Sequence, residues 1–539
     1  MDYLILRSAW LLLLISSLTY GQSITSLTLI DPISDQALGV IAEGDTIFTD
    51  QLPSINVRAD VSGTVGSVRF WLNGNVNQTE NTAPYAMWGD NGGNYNVFTP
   101  PPGNYELRAV AYTGAAASGT ASPDYIRNIV VADPAAVPIT PPSNPGTGVA
   151  SLTGELKKWH KITLSFDGPA YAEESLGPNP FLDYRLNVTF SQGNRQFVVP
   201  GYFAADGDAA ETSADSGNVW RVHFRPDAEG VWNYSVSFRL GRGVAVSTTP
   251  NAGQALGPMD GQSGSFTVGP TDKTGRDFRA KGQLRYVGKR YLQFAETGEY
   301  FLKAGPDSPE NFLAYEDFEN TPTQGNKGSI HAFGPHLQHW RNGDPTWQGS
   351  KGQSIIGAVN YLADQGLNAV SMLLYSRNGD DDRVYPYTRR NTFDHFDCSK
   401  LDQWEIVLDH AEQQGLYLHF KLSETENDQD HDGGNLGEDR KLYYREMMAR
   451  FGHHLALNWN ISEEISLNTG QIDDALSYFA DQDPYQQHRV FHTFPGAKEG
   501  KYAPFLGDSN LTGASLQISP PSEGPFYEIM REWIDRSTD

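Results

Sequence analysis

Residues 455–464 read LALNWNISEE, an apolar run that ends in two adjacent carboxyl groups. Successive side chains of a strand point to opposite faces. Leu455, Leu457, Trp459 and Ile461 therefore form one set, suited to packing under helices. Ala456, Asn458, Asn460, Ser462 and Glu464 form the other, small and polar, suited to the inner side of a barrel and its mouth. Functional groups of parallel barrels gather at the C-terminal ends of the strands. The alternation places Glu464 in the inward set, and Glu463 continues the outward set unless the strand has already bent.

The flanking sequence repeats this pattern. Strand-like runs at 299–305, 367–376, 416–424, 455–464, 489–494 and 514–519 alternate with helical patterns at 354–365, 399–414, 438–451, 471–480 and 525–536. In CSKLDQWEIVLDHAEQQG, Leu401, Trp404, Leu408 and Ala411 form a helical stripe. Ser399 is the expected N-cap, Asp402 completes a capping box, and Gly415 ends the helix. Strands apolar on both sides that alternate with helices predict an (α/β) TIM-type barrel over 281–539, of the (β/α)8 kind. An open doubly wound sheet is the alternative, weakened because no Gly-rich phosphate loop follows the first strand. About six of eight units are found, so a C-terminally truncated barrel is expected.

Upstream, 24–133 alternates apolar and polar residues in short runs broken by Gly, Pro and Asn. This predicts an immunoglobulin-like β-sandwich. A Pro-rich stretch, ADPAAVPITPPSNPGTG at 132–148, reads as the linker assigned to 134–150. The β pattern returns over 151–270 and predicts a second β-sandwich. At the N-terminus, Arg7 precedes a short apolar stretch, and Thr19 and Gly21 precede a plausible cut before Gln22. Residues 1–21 are therefore expected to be a signal peptide, with the mature protein secreted or periplasmic in a bacterium. No other segment is long and apolar enough to span a membrane.

The composition narrows the function. A net charge of −25 argues against a nucleic-acid partner. A single cysteine, Cys398, excludes an intramolecular disulfide and Cys-rich metal sites; it is expected to be a buried small hydrophobe. Aromatic residues make up 12% of the chain, enough for large β cores and for stacking on the apolar faces of sugars.

Paired carboxyl groups at a barrel mouth suit glycoside hydrolysis, in which one protonates the leaving oxygen and a second acts as nucleophile or base. The end of LALNWNISEE resembles the acid/base position of retaining glycoside hydrolases of the cellulase-type clan, whose usual form is Asn-Glu. Glu463 stands here where that Asn would be. Longer stretches, GELKKWHKITLSFDGP, VPGYFAADGDAAETS, FLKAGPDSPENFLAY and RKLYYREMMARFGHHLALNWNISEE, resemble secreted bacterial proteins grouped as glycoside hydrolases. In those proteins a sandwich of unknown function precedes such a barrel. The resemblance covers roughly residues 151–539. It implies Glu464 as acid/base and a nucleophile at the end of a seventh strand, beyond Asp539. Glu424 and Glu426, after the third strand, are the substitutes within the chain.

Further candidates follow the other strands. Asp307, Glu310 and Asn311 could bind sugar hydroxyls, as could Asn460, His492, Gln517 and Glu424, while Tyr375 could stack on a ring. Trp459 has core parity, and His453 and His454 precede the fourth strand and read as structural. The stretch DQDHDGGNLGED, 428–439, nearly matches a calcium loop, but Asp439 is short for the final bidentate ligand. A loop that shapes the cleft is expected there, with no metal and no cofactor. The sequence thus predicts a retaining hydrolase acting on a polysaccharide or oligosaccharide. The alternatives are a non-catalytic carbohydrate-binding or adhesion protein with a degenerate barrel, and, more weakly, a polysaccharide lyase.

Overall fold

The computed structural model describes residues 22–49, 52–132, 139–175, 177–519 and 525–536. The expected signal peptide, 1–21, and the linker residues 134–138 lie outside them. The chain divides into two compact units, residues 1–138 and 139–539.

The first unit holds two sheets. One has strand order Gln36–Val40, Ser23–Asp31, Asn56–Ser62, Tyr85–Ala86; the other has Thr46–Phe48, Tyr125–Ala132, Gly103–Gly114, Ser67–Leu72, Asn75–Glu80. Alternate residues of each sheet meet in one core, with Leu27, Leu29, Val57 and Ala59 against Phe70, Leu107, Ala109 and Ile129.

The second unit begins with another sheet pair. Ala150–Gly154, Ile162–Ala172, Ser216–Phe224 and Tyr202–Phe203 form one sheet; the other is built on Arg195–Pro200, Tyr184–Gln192 and Gly230–Leu240. Aromatic rings fill the space between, among them Phe190 stacked on Phe224 with centroids 4.0 Å apart. A short hairpin, Leu284–Arg285 with Gln293–Phe294, leads into the α/β part.

The α/β part holds helix α1 (Gln353–Asp364), strand β1 (Ala369–Leu373), α2 (Cys398–Gln413), β2 (Tyr417–Lys421), α3 (Glu438–Phe451), β3 (Leu457–Asn460), α4 (Thr469–Gln482), β4 (His488–Val490), β5 (His492–Thr493), β6 (Ser515–Leu516) and α5 (Phe526–Arg536). Strands β1 to β4 form a parallel sheet in sequence order. The chain then passes through Phe491 into β5, which pairs in parallel with β6. Among the described residues the sheet does not close into a barrel.

The expected first strand, 299–305, does not form a ladder strand. It lies beside β1, where the Asn368 N–H donates to Ala304 O at 2.9 Å and the Asn368 side chain accepts from the Ala304 N–H at 2.7 Å. The contact is tight at Gly305, where a Cβ would lie 1.9 Å from Ala369 O. The cap of α2 is Asp397, which accepts from the Lys400 N–H, rather than Ser399.

The sandwich of the second unit and the α/β part share one continuous core. Polar contacts fasten them: Arg450 donates to Phe203 O at 3.1 Å, Arg225 to His454 O at 3.0 Å, and Arg445 to Leu186 O at 2.8 Å.

Candidate active site

The C-terminal ends of the parallel strands converge on Lys421, the last residue of β2. Its side chain is fully buried, and its Nζ lies 2.7 Å from Glu310 Oε1, 3.2 Å from Asp307 Oδ1 and 3.8 Å from Glu463 Oε1. Burial would lower the Lys421 pKa, but Glu310, Asp307 and Glu463 hold it above its ordinary value, so the ammonium stays charged. Glu310 is fixed through its backbone, its carbonyl accepting from the Leu373 N–H of β1 at 2.9 Å.

Past β3 the alternation breaks. Leu457, Trp459 and Ile461 are buried away from the site, and Trp459 donates its indole N–H to Asp483 at 3.0 Å. Asn460 keeps the inner side, its Nδ2 3.3 Å from His419 Nε2. Ser462 does not follow it. Its hydroxyl turns to Asp428, which also accepts from the Ser466 N–H at 2.7 Å and from the Leu467 N–H. The chain bends, the Glu463 N–H donates to Ser423 O at 2.8 Å, and Glu464 sits in the left-handed region with φ +45°. Such a conformation is uncommon for a residue with a side chain.

The two glutamates thus part. Glu463 turns in and is 7% exposed. Burial raises its pKa to about 8, Lys421 opposing and Glu310 reinforcing the rise. Glu464 is half-buried; burial raises its pKa also, partly offset by Gln517, which hydrogen-bonds it. The inward placement of Glu464 by parity is therefore corrected: the regular ladder stops at Asn460 and resumes as a single bridge between Glu424 and Glu463, and Glu463 takes the inner position beside Lys421. His492 Nε2 faces Glu463 Oε1 at 3.5 Å, while Nδ1 meets Ser515 Oγ at 3.1 Å. Burial and the nearby Lys421 lower the His492 pKa to about 4, so the ring is neutral. Burial would raise the Asp307 pKa, but Lys421 and Ser371 hold it below the carboxylate range.

Several polar atoms around this point are buried with no protein hydrogen bond: Glu310 Oε2, Asn458 Oδ1, Asn460 Oδ1, His492 Nε2 and Thr493 Oγ1. Buried polar groups are rarely left without a partner.

Two predicted contacts lie elsewhere. Tyr375 is fully buried among Tyr387, His431 and Tyr443, and its hydroxyl donates to Asp430 at 2.8 Å. Its ring has no face left for a sugar. Glu424 sits behind the site, its oxygens taken by the Asp380 N–H at 2.9 Å and Asn427 Nδ2 at 2.8 Å. Burial raises its pKa to about 7. It secures the loop after β1, with one protein donor on each oxygen. The acids of the 428–439 loop are likewise engaged by protein donors: Asp428 holds the turn after Glu464, Asp430 binds Tyr375 and Arg377, and Asp432 caps the Arg440 N–H.

Lys421 escaped the sequence reading. The available signal was a lone cation inside the apolar run LYLHFKL, two residues after His419 and hence on its face.

Residues 155–239 match a family described as a domain of unknown function (DUF5060). No curated protein matches the chain. Among solved structures, a "putative glycoside hydrolase" from Bacteroides vulgatus is similar at 18% identity and a TM-score of 0.48, over 70% of this chain and 63% of that one. An FMN-binding beta-glucuronidase from Facaelibacterium prausnitzii is similar at 11% identity and a TM-score of 0.28, over 96% of this chain and 70% of that one. Bacteroides uniformis beta-glucuronidase 2 gives 10% identity and a TM-score of 0.30, over 96% of this chain and 57% of that one. The chain thus spans less than two thirds of the length of the first and third of these structures. No helix among the described residues is long and apolar enough to cross a membrane.

Proposed function

We propose that the protein hydrolyses glycosidic bonds in a polysaccharide or oligosaccharide, with Glu463 as the general acid. One observation carries the reading: a buried carboxyl with its pKa near 8 stands at the C-terminal end of a parallel sheet, amid buried polar atoms without protein partners. A carboxyl that keeps its proton at neutral pH can hand it to a departing glycosidic oxygen. The unmatched acceptors and the neutral His492 suit sugar hydroxyls, which both donate and accept. Glu464 and Gln517 form the rim, where Glu464 contacts the sugar rather than transferring the proton. In this reading the parallel sheet belongs to a (β/α)8-type barrel, the first unit is an immunoglobulin-like module, and the protein is secreted after removal of residues 1–21.

The test is release of reducing ends from a panel of plant, algal and bacterial polysaccharides. Wild-type protein should release them, and Glu463→Gln should lower kcat/KM about 10²- to 10⁴-fold with unchanged circular dichroism. Binding without release of reducing ends would favour a carbohydrate-binding role instead. Products with a new ultraviolet absorbance would indicate a lyase.

A further inference from the structure

We propose that the cleft between the sandwich strand Arg195–Pro200 and helices α3 and α4 binds a carboxylated sugar unit, with Arg445 receiving the carboxylate. None of the residues that line this cleft belongs to the candidate active site, and the inference does not rest on the hydrolase reading.

Three observations carry it. First, the space is there. Arg195–Pro200 is an edge strand of its sheet, and between it and the two helices lies a cavity of about 280 Å³. Small-molecule sites usually measure about 300–1,000 Å³, so this one suits a short ligand. Second, Arg445 of α3 lines the cleft with charge to spare. Its Nη2 donates to Leu186 O at 2.8 Å and to Asn187 Oδ1 at 3.0 Å, which pins the guanidinium to the sandwich. Nε and Nη1 have no partner among the described residues, and neither is sealed from solvent. No carboxylate among those residues pairs with Arg445: Glu446, whose charge reaches it, is held by Arg450 at 2.9 Å. Burial lowers the Arg445 pKa to about 10, so the guanidinium is still charged at neutral pH. A half-buried cation without a counter-charge is costly, and an anion in the cleft removes that cost. Third, Gln196 on the edge strand and Gln482 at the end of α4 line the same cleft and make no side-chain hydrogen bond among the described residues. Amides both donate and accept, as sugar hydroxyls do. Val198, 49% exposed, adds an apolar wall for the C–H face of a ring.

The two acids of the lining leave Arg445 free. Asp483 is buried, and its oxygens accept from the Trp459 indole at 3.0 Å, the Tyr485 N–H at 2.9 Å and the Gln487 N–H at 2.8 Å. Asp481 is exposed near the end of α4 and forms no ion pair with Arg445. The cleft therefore selects for two features together: a carboxylate for Arg445, and hydroxyls for Gln196 and Gln482. A uronic acid unit carries both. A simple organic acid brings the carboxylate alone, and inorganic phosphate brings only charge. The chain's net charge of −25 opposes a densely charged polyanion, so a single carboxylated unit on an otherwise neutral glycan fits better than a run of them.

The test titrates the full chain with D-glucuronate and D-galacturonate, read by saturation-transfer NMR, beside D-glucose, D-galactose, acetate and inorganic phosphate. Wild-type protein should bind at least one uronate about tenfold or more tightly than the matching neutral sugar, acetate or phosphate. Arg445→Gln should weaken that binding about tenfold to a hundredfold, as loss of a charge-assisted hydrogen bond requires. Because this substitution also frees Leu186 O and Asn187 at the seam, Gln196→Ala and Gln482→Ala are measured with it. Neither amide has a protein partner, so both variants should keep the wild-type unfolding temperature and weaken binding about two- to tenfold. Glu463→Gln should still bind the uronate, which separates this cleft from the candidate active site. No uronate binding, binding unmoved by Arg445→Gln and by both glutamine variants, or binding lost in Glu463→Gln would overturn the inference and leave the hydrolase reading standing. Acetate or phosphate as tight as the uronate would mean a bare anion site, and a neutral sugar as tight would remove the role of Arg445; either overturns the carboxylated-sugar assignment.

Discussion

At the scale of the residue, the question is what a carboxyl gains by giving up water. Glu463 is buried next to one ammonium, with Glu310, Glu464 and Asp380 nearby, and the balance, set mostly by burial, leaves its pKa near 8. The same balance makes it a stability cost. Its folded value lies above its unfolded one, so the native state binds the proton more tightly. Its contribution is fully present below the unfolded pKa of about 4.3 and is lost as pH rises through about 8. Glu463→Gln cannot ionise, so it should unfold at a higher temperature than wild type at pH 9 and at the same temperature at pH 4. Thermal scans at the two pH values check this. Equal unfolding temperatures at pH 9 would mean that the native carboxylate is well solvated. The sequence alone reached both glutamates and ranked them by parity. Parity holds only while the strand stays regular, and past Asn460 it does not: the Ser462 hydroxyl turns toward Asp428, an acid thirty-odd residues upstream. Lys421 was beyond that logic, and Glu310, read as a sugar-binding candidate, could not be paired with it, since their contact joins residues 111 positions apart.

At the scale of the element, the site depends on the loop that follows β1. Glu424, just after β2, accepts from the Asp380 N–H, and the loop approaches so closely that a Cβ at Gly379 would lie 2.0 Å from Glu424 Oε1. The Glu424 carboxyl is buried and bound on both oxygens, so it cannot swing away without leaving a donor unmet. Gly379→Ala should therefore destabilise the protein by about 1–3 kcal/mol and lower turnover, because the displaced loop carries Asp380 near Glu310. Urea unfolding measures the first effect. A variant with wild-type stability would show that the loop yields freely. Helices and strands were legible from their periods, since Leu401, Trp404, Leu408 and Ala411 all face the core. The departures came where a local rule had a competitor. Asp397 captured the cap of α2 from Ser399, and the run 299–305 spends its hydrogen bonds on the Asn368 side chain rather than on a ladder.

At the scale of the whole molecule, the units differ in how they cohere. The residues of 22–132 have their own core, whereas in 139–539 the sandwich and the α/β part share one. The shared seam is also ionic. Glu405 and Asp409 of α2 gather with His453 and His454, and the cation among them is the protein's own: the Lys161 ammonium of the sandwich bonds both carboxylates. Burial opposes protonation of His454, but Glu405 and Glu412 push its pKa up to about 10, so it adds a second positive charge. The sequence placed His453 and His454 at the foot of the fourth strand as structural residues. It could not pair them with Lys161, which lies some 290 positions earlier in a different layer. Lys161→Met removes one cation and leaves a carboxylate uncompensated. Complete burial would make this worth about 3–5 kcal/mol. The lysine side chain is about a quarter exposed, and solvent screening reduces the expected loss to about 1–3 kcal/mol. Because the core is continuous across the seam, that loss should lower one cooperative transition of the 139–539 unit in calorimetry. If the sandwich and the α/β part instead unfolded in two steps, with only one of them moved by the substitution, the shared core would not be coupling them.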